Sequence, residues 1–108
     1  MLLQPAQAGG FQILRILQDT VSEEDAVALL LRVEELLAKN NRKIALSFNS
    51  TAYPYSKLIS VITRCYQEIT RANGTLAVIL PSAAFARAAD SVNLSSVVRI
   101  VSSEDELR

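Results

Sequence analysis

The six residues Thr75 to Leu80, TLAVIL, lie between Gly74 and Pro81 and are apolar after the first. A run this short, with no polar alternation, reads as a strand that needs cover on both faces. Strands of that kind belong to the middle of a parallel sheet, where helices shield them from water. The rest of the chain must therefore alternate strands with helices.

It does so. Ile44 to Phe48 is a strand between Arg42-Lys43 and Asn49-Ser50-Thr51. A polar turn, Ser50 to Lys57, leads from it into a helix over 56–72. Leu58, Val61, Ile62, Cys65 and Ile69 line one face of that helix, at helical spacing. Asn73-Gly74 stops it, with Gly74 expected in the left-handed conformation. Upstream, Ser22 with Asp25 makes a capping box, and Glu23, Glu24 and Asp25 complement the positive end of the helix dipole. Ala26, Leu29, Leu30, Val33 and Leu37 form the inward face of this helix, and Asn40-Asn41 ends it. Phe11 to Leu17 reads as a strand covered on both faces. Met1 to Gln4 reads as a short edge strand ended by Pro5, with Gly9-Gly10 closing a turn. Beyond Pro81, Ser82 caps a third helix with Phe85 and Ala88 or Ala89 inward. Val97 to Val101 is the last strand, and Ser103 with Glu106 opens a terminal helical turn.

The expected fold is α/β: a mixed, mostly parallel sheet of four to five strands flanked by α-helices. At 108 residues, half of them hydrophobic, the chain fits one domain over 1–108. A chain of this size buries roughly 65% of its unfolded surface and needs no disulfide staple. Functional loops in such sheets lie beyond the carboxyl ends of the strands. Here those are the loops after Leu17, Phe48, Leu80 and Val101.

Composition narrows the chemistry. Eleven basic residues balance eleven acidic ones, which argues against nucleic acid as a partner and against a polybasic membrane-surface protein. The longest apolar run, Ala26 to Leu31, is too short to insert in a bilayer. With no secretory signal at the start, the expectation is a cytoplasmic protein. There is no His and a single cysteine, Cys65. That removes His-paired nucleophiles, a cysteine zinc cluster and an internal disulfide. No glycine spacing suits a phosphate-cradling loop. Cys65 sits at a core position of its helix. Asp19 is the one carboxylate at the functional edge, and it reads first as a turn residue. No enzyme, no metal and no cofactor is expected.

The Ser50–Lys57 turn is the candidate site. Tyr53 and Tyr55 flank Pro54, which suits the start of a helix. Tyr55 and Ser56 then lie beside the free N–H groups of that start, where a phosphate on either hydroxyl is stabilised, and Lys57 adds charge. Read from the residues alone, a capping turn with two tyrosines packed over a sheet edge is favoured about two to one over such a site. Exposed tyrosines also serve as anchors in protein interfaces.

Nearly the whole chain, most clearly Lys43 to Leu107, resembles the STAS domain of anti-sigma factor antagonists and sulfate transporters. The resemblance runs through IALSF, Pro54-Tyr55-Ser56-Lys57-Leu58 in the place of D-S-S-G-L, Asn73-Gly74, TLAVILP, FARAADSVNL with its Val92-Asn93-Leu94 corner, and VVRIVSSEDEL. It implies a regulatory protein that docks an anti-sigma factor or serine-kinase-like partner through the 50–57 turn and the 56–72 helix. The implied partner-binding residues are Tyr53, Pro54, Tyr55, Ser56 and Lys57, with Ser82 bordering them in the Pro81–Ala84 loop. The family phosphorylates the first serine of D-S-S-G-L, and this chain has Tyr55 there, with Pro54 for the aspartate and Lys57 for the glycine. Phosphorylation would then fall on Ser56, Tyr55 or Thr51, or the switch is lost and binding is constitutive. Two other functions stay open: an accessory subunit of a membrane transport complex, and a sensor of a small ligand or nucleotide.

Overall fold

A computed structural model describes residues 3–107. Five strands form one sheet: β1 (Leu3–Ala8), β2 (Phe11–Ile16), β3 (Lys43–Ser47), β4 (Thr75–Ile79) and β5 (Arg99–Val101). Three helices connect them: α1 (Glu23–Ala38), α2 (Tyr55–Arg71) and α3 (Ala83–Ser91). Short 3-10 turns at Leu94–Ser96 and Glu104–Leu107 flank β5. The strand order is β1-β2-β3-β4-β5, with β1 antiparallel to β2 and the other neighbours parallel.

Strand order follows chain order, so every crossover steps across the sheet in the same direction. Right-handed crossovers then put all three helices on one face. On that face Leu14, Ile16, Ile44, Leu46, Leu76 and Val78 pack with Ala26, Leu29 and Val33 of α1, the whole inner row of α2, and Phe85 and Ala89 of α3. The opposite face carries Phe11, Ile13, Ala45, Ala77, Ile79 and Val101, closed by Leu107. Arg15 of β2 ties the terminal turn down through two 2.7 Å bonds to Glu104.

The expected elements are present, with three corrections. Pro5 does not end the first strand; β1 runs through it to Ala8. It pairs on one side only, as an edge strand that tolerates a residue without an N–H does. Met1 and Leu2 of that expectation lie outside the described residues. The last strand is shorter than expected, because Leu94–Ser96 curl into a 3-10 turn and Val97 is exposed. The third correction concerns Gly74. Each helix ends on an asparagine in the left-handed region: Asn40, Asn73 and Asn93, at φ 67°, 63° and 60°. After α2 the Asn73 N–H donates to Thr70 O and the Gly74 N–H to Ile69 O, which is a Schellman motif. Asn73 therefore holds the left-handed seat. Gly74 comes next, where an added Cβ would lie 2.7 Å from Arg42 O and 2.8 Å from Ile69 Cγ2. Close approach, not positive φ, requires glycine there.

Candidate functional site

The loops after β2, β3 and β4 meet at the carboxyl end of the sheet. Phe48 and Ala52 point inward and are buried, which fixes the two ends of the turn between them. Its outer surface is held by Asp19, from the loop after β2. One carboxylate oxygen accepts from Thr51 Oγ1 at 2.7 Å and from Asn49 Nδ2 at 3.1 Å. The Asp19 carbonyl accepts the Tyr53 N–H at 2.9 Å. The Thr51 hydroxyl, and then the Asn49 amide, hold the Asp19 carboxyl below the usual carboxylate range. Asp19 is thus a turn residue, as its sequence suggests, but of a turn thirty residues away.

Pro54 precedes the first residue of α2 and follows Tyr53 through a cis peptide bond. It offers no side-chain cap, so the N–H groups at the start of α2 have no side-chain acceptor. Tyr55 is half-buried. Its ring stacks on Phe85 at 5.0 Å between centroids and 12° between planes, and Phe85 in turn meets the edge of Phe48 at 5.8 Å. The aromatic row joins the end of β3, the start of α2 and α3. Ser82 caps α3 by accepting the Phe85 N–H at 3.2 Å. Tyr53, Pro54, Ser56 and Lys57 are exposed, Tyr53 at 57%. Leu17, also at this edge, is 48% exposed.

Among the described residues no group of three His, Cys, Asp or Glu side chains could hold a metal ion. Burial pushes the Cys65 thiol up to about 12, far from the reactive range. Among the described residues no helix is long and apolar enough to cross a membrane. Two open depressions, of ≈ 420 Å³ between the C-terminal ends of α1 and α2 and ≈ 430 Å³ along α1 beside Leu3, include no residue of the turn.

Two solved structures of the Thermotoga maritima protein TM1081 superpose on nearly the whole chain. The solution structure is 22% identical with a TM-score of 0.77, covering 98% of this chain and 85% of that one. The fold is STAS-like. The crystal structure, of what is named there a candidate anti-sigma factor antagonist, is 21% identical with a TM-score of 0.69, covering 96% and 89%. No family model matches the sequence. Comparison with curated proteins finds no match either. The Ser50–Lys57 segment runs from the loop after β3 into the first turn of α2, which begins at Tyr55. Sequence reasoning did not find the Asp19 clamp or the Phe85 platform. The one available signal was the position of Asp19 at the end of a strand.

Proposed function

We propose that this protein is a non-enzymatic regulator of the anti-sigma factor antagonist kind. It docks a protein partner, an anti-sigma factor or serine-kinase-like regulator, through the 50–57 turn and the exposed face of α2. The observation that carries the reading is a turn at the carboxyl edge of a STAS-like sheet on which Tyr53, Pro54, Ser56 and Lys57 are all exposed. An exposed edge that carries an exposed aromatic, Tyr53, suits a protein surface, where aromatic residues serve as anchors.

The same geometry favours one hydroxyl for a phospho-switch. The Thr51 hydroxyl donates to Asp19, and the Tyr55 ring is stacked on Phe85. Ser56 is exposed one residue inside the helix start, where free N–H groups and Lys57 would receive a phosphate.

Matched baits test the reading in a lysate of the source organism: wild type, Tyr55→Ala and Lys57→Glu, each checked for its melting transition. Loss of a central tyrosine anchor costs about 2 kcal/mol, or roughly thirtyfold in affinity. Recovery of an anti-sigma factor or kinase-like protein by wild type, lost with both folded variants, is the expected result, and phosphopeptide mapping of the recovered wild-type protein should find phosphate on Ser56. Equal recovery by all three baits puts the docking site elsewhere.

A further inference from the structure

We infer that Asp19 is the positioning residue of the docking turn: it joins the loop after β2 to the turn after β3 and fixes how Tyr53 and the start of α2 are presented. The inference rests on the docking reading above. Three features of the turn lead to it.

Between Asn49 and Pro54 the turn is tied inward by buried Ala52 and otherwise depends on hydrogen bonds. Ala52 donates to Asn49 O at 3.2 Å within the turn, and α2 contributes no side-chain cap. Among the described residues, the bonds that its donors send to a loop distant in sequence all end on Asp19: Thr51 Oγ1 and Asn49 Nδ2 on its carboxylate, and the Tyr53 N–H on its carbonyl.

The acceptor is also of the stronger kind. An ionised carboxylate binds hydroxyl and amide donors more tightly than a neutral oxygen does. Two donors share one oxygen, so a single atom sets the spacing of Asn49 and Thr51 on either side of exposed Ser50.

Finally, the clamp lies outside the core. Asp19, Ser50, Thr51 and Tyr53 are all exposed, so the clamp shapes a surface without carrying the fold. Its effect belongs in the local order of residues 50–54 and in docking, not in global stability.

Amide hydrogen exchange on the isolated protein reads the clamp without a partner. In Asp19→Ala the Ala52 and Tyr53 amides should exchange about tenfold faster, the scale of lost bonds to a charged acceptor, with the melting transition nearly unchanged. Asp19→Asn keeps an acceptor oxygen and should restore most of the protection. Binding is then measured to the purified partner recovered by wild type in the capture experiment. Asp19→Ala should weaken that binding and Asp19→Asn should regain it. Unchanged exchange at Ala52 and Tyr53 in Asp19→Ala overturns the inference. So does a freed turn that still binds like wild type while Tyr55→Ala does not; the docking reading then survives alone. If neither Asp19→Ala nor Tyr55→Ala alters capture, the docking reading fails, and the positioning role falls with it even where the exchange effect is seen.

Discussion

Gly74→Ala tests the account of how α2 hands over to β4. The added methyl would lie 2.7 Å from Arg42 O and 2.8 Å from Ile69 Cγ2. Neither neighbour gives way easily. Ile69 is fully buried, and Arg42 O accepts the Thr75 N–H at 2.7 Å, the bond that aligns the start of β4 with β3. Overpacking of this sort costs about 1–3 kcal/mol, and disturbing the Thr75 bond adds about 0.5–1.5 kcal/mol. Restricting the unfolded chain returns about 0.4–1 kcal/mol. The net expectation is a loss of about 2 kcal/mol, a fall in melting temperature of about 8–16 °C. Urea and thermal unfolding followed by circular dichroism measure it. Gly74→Asn separates this from the alternative. If Gly74 served for a left-handed backbone, asparagine, which tolerates that region, would be much milder than alanine. Under close approach both carry the same Cβ and asparagine is no better. An alanine variant as stable as wild type, or an asparagine variant clearly more stable than alanine, refutes the reasoning.

Two further perturbations have expected outcomes. Phe85→Ala removes a ring that is 1% exposed and joins Tyr55 to Phe48; it should cost about 3–5 kcal/mol in urea unfolding, and it should free the Tyr55 ring, seen as faster ring flipping by NMR in whatever population stays folded. Cys65 is raised by burial to about 12 from 9.0, so its neutral thiol is favoured by folding; that stability is present below pH 9 and lost as pH rises toward 12, and Cys65→Ala should flatten the alkaline decline in the urea midpoint.

Much of the fold was legible because it is written in local patterns. The five inner residues of α2, from Leu58 to Ile69, are all buried as their spacing requires. Ser22 and Asp25 form the full reciprocal capping box, and Ser82 caps α3. What escaped is set by distant partners. Whether a strand lies at an edge, and so tolerates Pro5, depends on where its neighbours are. Whether Asn73 or Gly74 takes the left-handed seat depends on Arg42, which lies against one of them. The length of β5 depends on how Leu94 buries itself and draws the chain into a 3-10 turn. The sequence also placed the turn with its tyrosines between a strand and a helix. It could not show that Asp19 shapes it, since periodicity says nothing about hydrogen bonds between loops.

The two borders of the sheet have a consequence of their own. A bare strand edge invites another chain to add a strand, by the same main-chain pairing that aggregates proteins. Here one border, β1, lacks a donor at Pro5, and the other, β5, is three residues long. Both devices blunt a sheet edge against strand addition, which disfavours self-assembly through the sheet.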